Sequence, residues 1–365
     1  MREINVSTNE AGQRLDKLLR KYLKNANTSF IYKMLRKKNI VLNDKKAEGK
    51  EILNLGDSVK MYFSEETFAT MTGRTGQNSG SAETKRAAAA SASAQTASAG
   101  KNSAQMRRGA SSGNSSERRD QRAFDVEEFR KHIVYEDENL LVLNKPAGWL
   151  SQSDGSGLPS VNELCLQYLM ATGALTEAQL QTFKPGIANR LDRNTSGLIL
   201  FGKTLPALQA LAALLRDRTM EKYYLAIVCG DIDHAQRING YLAKDERTNR
   251  VEIRPQPFPD AVEIHTAYEP LKRSTDYTVL KVHLITGKTH QIRAHLRAIG
   301  HPIIGDPKYG RKDANAYYRT HGGVKSQLLH AWELHFPETL DGPLRNLAGR
   351  TLTAEPPKEF HPFLK

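Results

Sequence analysis

The chain has 365 residues, two cysteines and a formal net charge of +13. That is a length for two or three domains of roughly 100–200 residues each, with a charge that points to a polyanionic partner, nucleic acid ahead of a membrane surface. Cys165 and Cys229 supply neither a disulfide framework nor a four-ligand zinc set and read as thiols in a reducing cytoplasm, the expected location. No apolar run approaches the roughly 18–20 residues that cross a bilayer, and MREINVSTNEAG has no apolar leader core, so neither membrane insertion nor secretion is expected.

Residues 1–63 hold 14 Lys and Arg against 7 Asp and Glu, a net of +7, and read as a small mixed domain. QRLDKLLRKYLK (13–24) places Leu15, Leu18, Leu19, Tyr22 and Leu23 at helical spacing. A second helix, SFIYKMLRKKN, has the apolar stripe Ile31, Met34 and Leu35, with Thr28 or Ser29 as the expected N-cap. IVLND is a strand running into an Asn43-Asp44 turn, and LGDSVKMYF is a second strand. Lys33, Arg36, Lys37 and Lys38 end the second helix and Lys45 follows in the turn. With Arg14 they are the candidate polyanion contacts, against the plainer reading of a solvated charged face.

Residues 64–125 read as a disordered linker. Positions 69–123 contain no Leu, Ile, Val, Phe, Tyr or Trp, and 25 of the 36 residues in 81–116 are Ser, Ala, Gly or Thr. Such a stretch buries too little apolar surface to offset the entropy of ordering.

Residues 126–365 carry a net of only +3 and read as a strand-rich domain with interspersed helices. HIVYEDENLLVLNKPAG is strand, turn at 137–139, strand, and a Pro-Ala-Gly exit. GIANRLD is a short strand before a polar turn, and GLILFGKT leaves that turn. Thr204 is the expected cap of LPALQALAALLRD. KYYLAIVCG and YTVLKVHLI are further strands, and Thr289 is the expected cap of HQIRAHLRAI. The fold class is α+β: a small N-terminal domain, then a mostly antiparallel mixed sheet flanked by helices and loops.

Asp192 lies in N-R-L-D-R-N-T-S-G (189–197), a carboxylate between two strands and two arginines. By spacing alone it reads as well as a turn cap or an ion-pair partner. Further blocks follow in order: E-K-Y-Y-L-A-I-V-C-G (221–230), T-G-K-T-H-Q-I-R-A-H-L-R-A-I-G-H-P-I-I-G-D-P-K-Y-G (286–310) and Q-x-L-H-A-x-x-L-x-F-P (327–337), with N-K-P-A-G (144–148) upstream. Together they resemble the motif regions of RNA pseudouridine synthases of the RluA type, over about residues 132–340. G-Q-R-L-D-K-L-L, S-x-x-Y-K-M-L-R-K-K-x-I-x-L-N and L-x-x-G-D-x-V, over about 12–62, resemble the αL-type RNA-binding module found in ribosomal protein S-four.

The resemblance implies an isomerase that converts uridine in RNA to pseudouridine without cofactor or metal. It implies Asp192 as the catalytic aspartate, Arg293 as its paired arginine and Tyr224 as the tyrosine against the base. Arg190 would position the flipped nucleotide, and Asn189, Thr195, His290 and Gln291 would line the substrate site. Asn189 stands where the family usually has His, and activity is expected to survive that change. A large-subunit ribosomal RNA or pre-ribosomal particle is the implied partner, with a monomeric enzyme and a role in ribosomal RNA processing. A noncatalytic ribosome assembly factor retaining the fold is the alternative, opposed by the intact Asp192, Tyr224 and Arg293. A carboxylate glycosidase would call for two carboxyls, and the motif supplies one. The chemistry suits the residues. A base must leave the stack to be reached, an aromatic ring offers it a face, and an arginine aims a carboxylate through charge-assisted bonds. His290 and His295, five apart, would face different sides of a helix, which argues against metal ligation.

Overall fold

The computed structural model describes residues 1–73, 124–245, 247 and 250–365. The first unit runs β1 (Arg2–Asn5), α1 (Leu15–Tyr22), α2 (Thr28–Arg36), β2 (Ile40–Leu42), β3 (Lys45–Lys46), β4 (Ser58–Met61) and α3 (Glu65–Thr72). Leu15, Leu18 and Leu19 of α1 and Ile31 and Leu35 of α2 are buried against a four-stranded sheet of order β1-β4-β2-β3. The cap of α2 is Asn27, whose side chain accepts from Phe30 N at 2.8 Å. It stands one residue before the expected Thr28. Asn43 and Asp44, at φ 50 and 61, form the two-residue turn between β2 and β3, where both central residues need positive φ.

Helix α3 corrects the linker boundary. Ser64 caps it at Thr67 N, Gly73 ends it at φ 73, and Phe68 is buried beside Phe63. One aromatic anchor and two caps hold a helix that composition averaged over the linker conceals. The rest of the expected linker, 74–123, lies outside the described residues.

The second unit runs α4 (Val126–Arg130), β5 (Ile133–Glu136), β6 (Leu140–Lys145), α5 (Val161–Ala171), α6 (Glu177–Thr182), β7 (Gly186–Ile187), β8 (Ser196–Gly202) and α7 (Leu205–Asp217). It continues with β9 (Glu221–Cys229), β10 (Gln236–Asp245), β11 (Arg250–Arg254), β12 (Val262–Arg273), β13 (Tyr277–Leu284), α8 (Gln291–Ala298), α9 (Lys312–Gly322), β14 (Leu329–His335), β15 (Thr351–Thr353) and α10 (His361–Leu364). The order β11-β10-β12-β13-β9-β14-β8-β6-β5 forms one sheet, with β15 beside β14 and β7 beside β8. Among the described strands only β8 and β14 pair in parallel, through His330 with Ser196 and Ala331 with Gly197. Strand β14 thus joins a half-sheet of β5, β6 and β8 to one of β9 to β13. One face packs on α5 and α8 through Leu141, Phe201, Val228, Leu280, Leu169 and Leu296. The other packs on α7 through Val142, Leu200 and Leu211.

The two units touch. Thr182 Oγ1 donates to the buried Glu10, Gln209 donates to Gly12 O at 3.3 Å, and the Lys21 ammonium lies over the Phe183 ring. Among the described residues no helix is long and apolar enough to cross a membrane.

Candidate active site

Asp192 sits in the loop between β7 and β8, and that loop is pinned from three sides. Ser151 Oγ donates to Leu191 O at 2.7 Å and accepts from Leu191 N at 3.0 Å. Lys145, at the end of β6 and 1% exposed, donates to Pro146 O, Trp149 O and Arg193 O at 2.8, 3.1 and 3.0 Å. Burial pushes its pKa down to about 7 against the opposing pull of the Asp192 charge. Three carbonyl acceptors match the three protons of an ammonium. The turn closes with Thr195 N donating to Asp192 O at 3.0 Å.

Helix α8 brings Arg293. Its Nη1 donates to Asp192 Oδ2 at 2.7 Å, while Nε and Nη2 grip both oxygens of Asp306 at 2.7 and 2.9 Å. Asp306 is fully buried and also accepts from the amides of Lys308 and Tyr309. Burial works to raise its pKa, but the Arg293 hydrogen bonds and charge, with the two amides, outweigh that and lower it. Burial disfavours the Arg293 charge too, and Asp306 first, then Asp192, more than restore it. One arginine therefore bridges a buried carboxylate and one that is a quarter exposed to the groove.

His290 precedes α8 at φ 56 without capping it through its side chain, and Thr289 is not the cap. Its Nδ1 meets Tyr309 Oη at 3.0 Å and its Nε2 lies 3.8 Å from Asp192 Oδ2. Burial lowers its pKa, the Asp192 charge opposing. Tyr224 on β9 is buried in the groove wall, where burial and the Asp192 charge both hold its phenol protonated.

These groups line an open groove of about 860 Å³ whose wall carries six Lys or Arg and two carboxylates, Asp154 and Asp192. Asp192, Tyr224, Arg293, His290 and the exposed Arg190 meet there. Three other candidates lie on it with their polar atoms engaged elsewhere. Asn189 spans Leu198 O and Leu200 N, which ties the loop to β8. Gln291 uses both ends of its amide on Thr286, Lys288, His265 and Thr266. Thr195 is buried and accepts from Gln327. These three shape the site without offering a substrate a free amide or carbonyl. Lys145, Ser151 and Asp306 are the groups that sequence reasoning passed over. Among the described residues no cluster of His, Cys, Asp or Glu could hold a metal.

In the first unit Lys33, Arg36, Lys37, Lys38 and Lys45 are exposed. Arg14 differs: its guanidinium pairs with the buried Asp16 at 3.1 Å, alongside Arg20 and Tyr32. That contact holds the start of α1, so Arg14 is not a free cation.

Residues 139–298 match the family model of the RNA pseudouridylate synthases, so the class is an isomerase of uridine in RNA. The ribosomal large subunit pseudouridine synthase C of Vibrio cholerae is 30% identical over 334 residues, 91% of this chain and 88% of that one. That of Salmonella typhimurium is 29% identical over 95% of this chain and 94% of its own. The synthase D of Pasteurella multocida is 34% identical over 62% and 68%. The chain belongs to the RNA pseudouridine synthases of the RluA type. The fold agrees with that of human RNA pseudouridylate synthase domain containing 4, at TM-score 0.51 and 21% identity over 65% of this chain and 94% of that one. The sequence relatives carry the names of enzymes and not of assembly factors.

Proposed function

We propose that this enzyme isomerises uridines of large-subunit ribosomal RNA, the substrate in the names of its relatives, with Asp192 as the catalytic carboxylate. The observation that carries the reading is the Asp192–Arg293–Asp306 bridge at the floor of a basic groove. The reaction breaks the bond from ribose C1′ to base N1 and forms one from C1′ to C5. The C5 proton leaves and N1 gains one, so atoms balance with no cofactor. An ionised carboxylate beside the ribose can attack C1′ or take a ribose proton. Tyr224 offers its ring to the uracil, and Arg190 at the rim fills the space of a flipped nucleotide, whose unstacking costs a few kcal/mol. The first unit acts as an αL-type RNA-binding module through Lys33, Arg36, Lys37, Lys38 and Lys45, mainly on phosphates.

Unmodified ribosomal RNA carrying tritium at uridine C5 tests this. Wild type should release tritium to water and Asp192→Asn should release none, with an unchanged melting temperature. Equal release by both would remove Asp192 from the mechanism.

A further inference from the structure

The groove holds a cation that this chemistry leaves unused. Lys222 lies on β9 two residues before Tyr224, so both side chains stand on the same face of the strand and line the groove. It is 9% exposed. Lys145 spends its ammonium on three carbonyls, whereas Lys222 packs its stem and presents its ammonium to the groove. Among the described residues no side-chain hydrogen bond or ion pair engages Lys222, and its Nζ is not one of the buried unpartnered atoms, so it opens on the groove. Its charged neighbour is a second cation, Arg218, and burial followed by the Arg218 charge lowers the pKa of Lys222. Arg218 ends α7 in left-handed backbone at φ 58, is exposed, and is likewise unpaired. Two like charges facing one groove with no carboxylate between them repel each other in the free protein. A bound anion relieves both at once.

We propose that Lys222 and Arg218 form a phosphodiester subsite that receives the RNA phosphate beside the uridine held at Asp192 and Tyr224. This rests on the groove being the RNA site. Two residues of strand separate Lys222 from Tyr224 by about 7 Å, the scale of one nucleotide. Lysine serves as a point charge from the wall, and arginine closes from the rim with its planar fork. Arg190 and Lys288 at the mouth are exposed and attract RNA in any register. Lys222 is fixed by burial, so its phosphate contact sets the register of the backbone and decides which base reaches Asp192.

The test measures binding of unmodified large-subunit ribosomal RNA over a KCl series, in Asp192→Asn chains so that no turnover intervenes. Adding Lys222→Met should weaken binding about tenfold and flatten the log–log salt dependence by about 0.7–0.9, one phosphate contact. Lys222→Arg should restore most of both. The melting temperature of Lys222→Met should stay level or rise, because the packed apolar stem is kept and the repulsion from Arg218 is removed. Arg218→Ala, an exposed change that leaves folding intact, should flatten the slope similarly. Parallel salt lines overturn the subsite, as does a lowered melting temperature with unchanged binding. Absence of RNA binding in the Asp192→Asn chain overturns both this inference and the groove reading. Tritium release is followed separately in chains retaining Asp192. Its failure bears on the catalytic assignment, while the salt slope bears on Lys222 and Arg218.

Discussion

Asp306 stays out of the groove, yet it holds two of the three Arg293 nitrogens that make contacts. An arginine tied only to Asp192 would swing with it. One tied to a buried carboxylate gives Asp192 a fixed anchor. Asp306→Asn should therefore lower kcat about 10²-fold, the cost of a misplacement near 1 Å, with KM little changed. It should also cost about 3 kcal/mol of stability, since it breaks a buried pair. Single-turnover tritium release and thermal melting read the two effects separately. Lys145→Met should cost about 2–4 kcal/mol in denaturant melts by stranding three carbonyls. The pairing of Asp192 with Arg293 is legible in the sequence because each sits in its own motif block. Asp306 is not: it lies in the block 286–310 with no role assigned to it, and only the fold shows which arginine it faces. Asn189 misleads for the opposite reason. A polar residue three before the aspartate reads as part of the substrate site, while its amide matches the backbone of β8.

Elements show the same division. The helix α7 and strands β6, β8, β9 and β13 follow from periodicity and caps, Thr204 capping at Ala207 N as expected. Helix α5 carries a reciprocal Ser160–Glu163 box, a legible S-x-x-E signal that goes unread between two apolar strands. The position of β14 between β8 and β9 has no local signal, because pairing between residues more than a hundred apart is decided by the whole sheet. Its tightest point is Gly197 at φ 110, where a Cβ would meet Ala331 O at 2.2 Å. Gly197→Ala should cost more than about 3 kcal/mol and abolish activity through loss of the folded sheet. Circular dichroism melting of the purified variant checks this.

For the whole molecule, pH acts through buried histidines. Burial pushes His330 down to about 4, against the hydrogen bond to Ala354 O, and burial with the His265 charge does the same to His295. Both stay neutral in the fold but protonate near 6.5 once unfolded. The stability they confer is complete above pH 6.5 and is lost as pH falls towards 4, by up to about 3 kcal/mol each. Melting temperatures should fall across that window, less steeply in His330→Gln. The RNA-binding role proposed for the first unit is tested through its charge. Replacing Lys33, Arg36, Lys37 and Lys38 with Gln should weaken RNA binding across sequences and flatten its salt dependence, with tritium release at saturating RNA retained. Equal affinity in filter binding would contradict this.

The place of β14 also bears on when the enzyme comes to exist during its own synthesis. Asp192 belongs to the half-sheet completed first, while Tyr224 and Arg293 come with the half completed later. Residues 329–335 are the seam. A nascent chain still holding that seam in the exit tunnel would have its carboxylate and its arginine on separate half-sheets. A chain ending before residue 329 should therefore release no tritium from labelled RNA, and release equal to that of the full chain would contradict this.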